Sequence, residues 1–190
     1  MFEFVRANFY WIDFAIGAAI PILVFYLYRT GRIDRYVWWL FWLGCALGVC
    51  WELPMSLLNE FSSAFPVAHF IQPLPTHFSV LVIMHSFWDG GLFLVGVWFV
   101  RAVCKPPWFD QFRPCELFVL LVWGQLSELI VELLSTFNEA WAYIPYCWNP
   151  TLFMFNDSHI TLLPQMIWLA APIVFYLLAL KMKRSIARTG

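Results

Sequence analysis

The sequence predicts an all-α integral membrane protein, a bundle of five transmembrane helices with its N-terminus outside or lumenal and its C-terminus in the cytoplasm. Three observations predict it. Of the 190 residues, 62% are hydrophobic and only 12% are charged, against about 25% charged in an ordinary soluble domain. So few charges cannot cover a water-facing surface, and the solvent for most of the chain is lipid. Five stretches are long and apolar enough to cross a hydrocarbon core about 30 Å thick, which takes roughly 20 helical residues. Finally, Arg and Lys alternate between connections as the positive-inside rule requires. A net charge of −1 with no basic patch excludes nucleic acid as a partner.

The first span, about Tyr10–Tyr28, follows Met1-Phe2-Glu3-Phe4-Val5-Arg6, which has neither a basic n-region nor a small-x-small cleavage pattern. It is expected to be retained. The second span, Tyr36–Leu58, carries Gly44 and Gly48, a GxxxG spacing that permits close helix approach, either within the chain or between two copies in a homodimer. Phe78–Val103, Glu116–Ser135 and Ile160–Leu180 complete the set. Their apolarity is continuous and not alternating, which rejects a transmembrane barrel. No internal repeat divides residues 1–190, which read as one transmembrane domain.

Arg29, Arg32 and Arg35 fill the first connection, Arg101, Lys105 and Arg113 the third, and Lys181, Lys183, Arg184 and Arg188 the tail. Asn59–His77 and Thr136–His159 hold no Lys or Arg. These two outer connections are rich in Pro and aromatics, among them Pro66, Pro73, Pro75, Trp141, Tyr143 and Trp148. Irregular backbone cannot cross hydrocarbon, so they are expected to lie at the interface and roof a cavity. The sequon Asn156-Asp157-Ser158 abuts the fifth span and reads as an unmodified turn. Cys45, Cys50, Cys104, Cys115 and Cys147 form no CxxC pair and read as small hydrophobes, with no disulfide and no zinc site.

Ionisable side chains at membrane depth cost about 2.5–3.5 kcal/mol on insertion scales and mark function by default. Here they are Glu52 in the second span, His85 and Asp89 in the third, and Glu128 and Glu132 in the fourth, with no Lys or Arg among them. Helical spacing places Gly48, Glu52, Ser56 and Asn59 on one face, and likewise His85, Trp88, Asp89 and Gly96; Gln125, Glu128, Glu132 and Ser135; and Thr161, Gln165, Trp168 and Pro172. Glu52, His85, Glu128 and Trp168 also share a depth, roughly 10–12 Å from the outer end of each span. One polar layer inside the bundle follows.

Such a layer suits proton transfer and stabilisation of a cation. Desolvated carboxyl groups favour the proton-carrying form, so one can donate while a neighbour accepts. Trp51, Trp88, Trp123 and Trp168 can each offer a transient cation about 0.5–2 kcal/mol. Glu52, the sole charge of its span and next to Trp51, is the expected proton donor. His85 oriented by Asp89 is the expected base, with Glu128 as the further acid. Trp51, Trp88, Gln125, Glu132, Gln165 and Trp168 are the expected substrate contacts, and cationic amphiphiles the expected ligands. An apolar substrate would arrive from the bilayer. The carboxylates and His85 have the ligand types of a bundle metal site but lack its Glu-x-x-His spacing, so neither metal nor cofactor is expected.

Glu52 in the second span, the basic turn from Arg101 to Pro107, Gly124-Gln125 in the fourth span, and Gln165-Met166-Ile167-Trp168 followed by Pro172 in the fifth occur in a recognisable order. Over about Tyr36–Leu180 this resembles the emopamil-binding protein family, the sterol Δ8–Δ7 isomerases and their EXPERA-domain relatives. The resemblance implies proton-initiated double-bond isomerisation of a sterol or other isoprenoid-derived lipid, in the endoplasmic reticulum membrane of a eukaryote. The chain departs from the family at Gly48, where the isomerases carry a His, near Val82, where they carry a glutamate, and at His85 and Gln165. Trp168 is retained, and the relay is expected to be rebuilt around His85 and Asp89. Trp51-Glu52 is also similar to the integral-membrane terpene cyclases of meroterpenoid pathways, which protonate an epoxide or alkene of a polyprenyl substrate. Other EXPERA members imply a third reading, a non-enzymatic lipid-binding or trafficking protein.

Overall fold

The computed structural model describes residues 2–62 and 65–189, with side chains for 3–62 and 65–186, so the Arg188 side chain lies outside them. Its helices are α1 Phe2–Ala7, α2 Phe9–Arg29, α3 Arg35–Phe61, α4 Phe78–Val103, α5 Pro114–Phe137 and α6 Leu162–Thr189. Five of them, α2 to α6, are long and apolar enough to cross a membrane. Local chemistry sets their ends. Asp34 caps α3 by accepting the Val37 N–H at 2.8 Å, and Pro114 opens α5, where its missing N–H is harmless. The fifth span starts two residues later than expected because Ile160 and Thr161 belong to a strand.

Close packing of α3 on α4 is the centre of the bundle. A Cβ at Gly44 would stand 2.9 Å from the Gly90 Cα, and one at Gly90 would run into the Cys45 sulfur and the Phe41 ring. One turn further along α3, a Cβ at Gly48 would collide with the Asp89 carboxylate. The GxxxG face is therefore used inside the chain, against α4, and not left free for a second copy. Gly124 plays the same part between α5 and α6, lying against Pro172 and the Trp168 carbonyl. Pro172 has no N–H to give that carbonyl in its own helix.

The connections Asn59–His77 and Thr136–His159 form strands, which the all-α expectation did not include. β1 (Ala68–Phe70) pairs antiparallel with β2 (Trp141–Tyr143), and β3 (Thr151–Phe155) with β4 (Ser158–Thr161). Backbone lying on the apolar end of a bundle has little water to bond, so the two connections satisfy each other. Side chains fix them in place. Asn59 Oδ1 accepts the N–H groups of Val67 and Ala68 at 2.7 and 3.0 Å. Gln72 donates to the Arg6 and Asn138 carbonyls, Tyr10 donates its hydroxyl to the Ala140 carbonyl at 3.0 Å, and Arg6 pairs with Glu139. The sequon residues Asn156 and Asp157 make the β3–β4 turn with φ of 49° and 59°, and the Asn156 amide donates to the Thr136 carbonyl at 2.9 Å.

Cys104 and Cys115 are disulfide-bonded, which corrects the expectation of five unpaired thiols. The antiparallel turn from α4 into α5 brings their Cα atoms to 6.4 Å, a bridgeable distance that needs no CxxC spacing. Overpacking the glycine seam tests its role. Gly44→Ala and Gly90→Ala are each expected to remove about 1–3 kcal/mol, read as a lower unfolding midpoint in detergent, while Ala19→Leu on the exposed side of α2 leaves the midpoint unchanged.

Candidate functional site

Beneath the strand roof lies a cavity of about 440 Å³ walled by residues of α1 to α6 except where β1 and β2 close it. Its volume falls in the range of small-molecule sites, roughly 300–1,000 Å³. Glu52, His85, Asp89, Glu128, Trp51, Trp88 and Trp168 all stand on its wall.

The polar centre is a chain of three side chains from three helices. His85 on α4 has its Nδ1 3.3 Å from Glu52 Oε2 on α3 and its Nε2 3.1 Å from Asp13 Oδ2 on α2. The Trp88 indole N–H donates to the Asp13 carbonyl at 3.1 Å, which fixes α2 against α4 at this level, and Trp141 of the roof covers the imidazole with 5.6 Å between ring centroids. Two carboxyl groups facing the two nitrogens of one imidazole need two hydrogens between them. Either the ring is an imidazolium between two carboxylates, or it is neutral and one carboxyl group is protonated. The triad thus holds shared protons on the wall of the cavity.

Asp89 does not orient His85, as the sequence suggested, because both ring nitrogens are already engaged. Its carboxylate instead turns toward α3, where Gly48 leaves room and the Trp51 side chain lies beside it. Asp89 is 5% exposed, and its Oδ2 is buried with no partner. Trp51 in turn meets Trp168 edge-on at 5.8 Å, and Trp168 stacks on Phe93 at 5.4 Å. From above, Tyr143 of β2 faces the carboxyl groups. Burial pushes its hydroxyl well above the ordinary tyrosine range, and the charges of Glu128 and Glu52 push the same way, so it enters the cavity as a neutral O–H.

Gln125, Glu132 and Gln165, expected as substrate contacts, are not among the residues of the cavity wall. They fasten α5 to α6. The Gln125 amide donates to the Gln165 carbonyl at 2.9 Å. Glu132 Oε1 accepts the Thr161 N–H at 2.9 Å, and its Oε2 faces the Gln165 amide at 3.4 Å. Helical periodicity gave these residues the right stripe, but a stripe broad enough to reach both the cavity and the next helix does not say which it meets. Asp13 was missed outright. Its signal was present, since it is the one charge within Tyr10–Tyr28.

Among the described residues no group of three or more His, Cys, Asp and Glu is arranged to hold a metal ion. Compared with known protein families, with characterised proteins and with solved structures, the chain has no significant match in any of the three.

Glu132 offers a clean separation of fastening from binding. Glu132→Ala leaves the buried Thr161 N–H without an acceptor, a loss of about 1–3 kcal/mol, whereas Glu132→Gln keeps an acceptor oxygen there. The expected result is a lowered unfolding midpoint for the alanine variant alone, with calorimetric affinity for lipophilic amines the same in both folded variants.

Proposed function

We propose that this protein is a membrane enzyme that rearranges a double bond in a sterol or other isoprenoid-derived lipid by adding and removing a proton. The observation that carries this reading is the Asp13–His85–Glu52 triad on the wall of a tryptophan-lined cavity. An alkene needs a strong, desolvated acid to protonate it, and the resulting carbocation needs aromatic faces and carboxylates in place of water. Glu52 delivers the proton to one alkene carbon, and His85 with Asp13 behind it returns a proton to Glu52. Trp51 and Trp168 face the positive carbon. Asp89 or Glu128 then takes a proton from the neighbouring carbon, and the double bond re-forms one position along. The proton on Asp89 or Glu128 then passes back to the His85–Asp13 pair, so the protein returns to its starting state and the product is an isomer.

With this function goes an orientation in which the roof faces outside or the lumen, in the endoplasmic reticulum if the source is eukaryotic. Arg29, Arg32, Arg101, Lys105, Lys181 and Lys183 cluster at the opposite end, which supports it. The Cys104–Cys115 bond at that same end pulls the other way, because the cytosol keeps thiols reduced. Labelling decides between the two signals. In sealed microsomes, whose cytoplasmic face is outward, a membrane-impermeant maleimide is expected to modify Ser185→Cys and to spare the exposed native Cys147 until the membrane is opened. The reverse pattern would invert the orientation.

Catalysis is tested on the lipids that co-purify with the protein. In heavy water, turnover is expected to place deuterium in the product, detected by mass spectrometry; ligand retained without deuterium would reduce the protein to a lipid binder. Glu52→Gln is expected to slow product formation by about 10²-fold or more with amine binding kept. Asp89→Asn slows it less, and Trp168→Ala weakens amine binding by about 0.5–2 kcal/mol. A Glu52→Gln enzyme working at the parental rate would take Glu52 out of the mechanism.

A further inference from the structure

We propose that the cavity opens sideways through a slot between α2 and α5, and that an apolar isoprenoid lipid passes through this slot from the hydrocarbon to the acid. The lipid class rests on the function proposed above; the slot rests on geometry. Of all the residues on the cavity wall, the exposed ones are Ile16, Ile130 and Leu134, at 42%, 50% and 51%. All three are branched aliphatic side chains. Ile16 stands on α2, and Ile130 and Leu134 stand one turn apart on α5. α2 packs on α4 and α3, whereas α5 packs on α4 and α6, so the two helices flank the cavity without forming a packed pair.

The water side is the more covered one. Of the roof residues on the wall, Val67, Asn138 and Trp141 are 2%, 6% and 8% exposed and Ala68, Phe70 and Tyr143 are part-buried, and Asn59, Gln72 and Tyr10 hold the roof down. Ile16 and Ile130 each lie about two turns from the roofed ends of their helices, roughly 10 Å into the hydrocarbon. A rim of Ile and Leu at that depth is as apolar as the lipid tails beside it. An apolar chain loses nothing on crossing it, whereas an ion or a hydrated headgroup finds no partner there. Asp13 precedes Ile16 by three residues on the same helix and also faces the cavity, so a double bond that has passed the rim meets the proton triad within one turn.

The test uses the full chain in phosphatidylcholine vesicles with a diazirine-bearing analogue of farnesol dissolved in the bilayer. After a short irradiation, mass spectrometry maps the labelled residues. Label is expected on Ile16, Ile130 or Leu134 and, inside, on Trp51 or Trp168. In Ile16→Trp/Ile130→Trp the interior label falls by an order of magnitude, in Leu23→Trp on the lipid-facing side of α2 it does not change, and in Ile130→Ala it rises. Undiminished interior label in the folded double variant overturns the slot. So does a parent chain whose rim stays unlabelled, as it would beneath a second copy. Should the double variant not fold, Ile130→Ala decides alone, since interior label that fails to rise overturns the proposal. Labelling needs no turnover, so a chain that labels through the slot but isomerises nothing keeps the slot and loses the enzyme.

Discussion

Everything in this molecule depends on how closely α3 approaches α4. Gly44 against Gly90 brings two backbones into contact, and that contact sets the level at which the next turns face each other. Glu52 then comes within hydrogen-bonding distance of His85, and the Asp89 carboxylate fits where Gly48 has no side chain. A larger residue at any of these positions would separate the helices and, with them, the acids. In hydrocarbon there is no hydrophobic force to pull helices together, so small residues and dispersion contacts do this instead. The same glycines that stabilise the bundle therefore define the geometry of its polar centre.

Five carboxyl groups lie more than one turn from either end of a span, Asp13, Glu52, Asp89, Glu128 and Glu132, with no Lys or Arg beside them. They are tolerated for different reasons. Glu132 is spent on the Thr161 N–H and works as a fastener. Asp13 and Glu52 share protons with one imidazole. Asp89 keeps an oxygen without a partner, which a purely structural acid would not do at such expense. Fold and chemistry thus draw on one residue type in three ways, and only position separates them.

Hydropathy made the helices legible: the five spans lie where 20-residue apolar stretches predict them, and Phe78–Val103 is α4 to the residue. The polar stripes were legible too, because a 3.6-residue period shows itself within one helix. Relations between helices were not. Gln125 and Gln165 look like cavity residues until they are seen to meet each other between α5 and α6, and Asp89 looks like His85's partner until Asp13 occupies the second nitrogen. Strands of three to five residues in aromatic-rich loops carry no alternation long enough to read. Cys104 and Cys115 are joined by the turn between two helices, a distance that spacing along the chain does not report.

The roof has a consequence for how the protein is made. Chains are synthesised from the N-terminus, and domains assemble in that order. By the end of α4, Asp13, Glu52, His85 and Asp89 have all emerged, so the proton triad can form while the rest of the chain is still on the ribosome. Its cover cannot. β1 waits for β2, and the Tyr10 hydroxyl waits for the Ala140 carbonyl, which arrives 130 residues later. During that interval the site lacks the strands that cover it in the finished fold. Charges that are expensive in dry hydrocarbon thus gain their full cover only when the last connection folds over them.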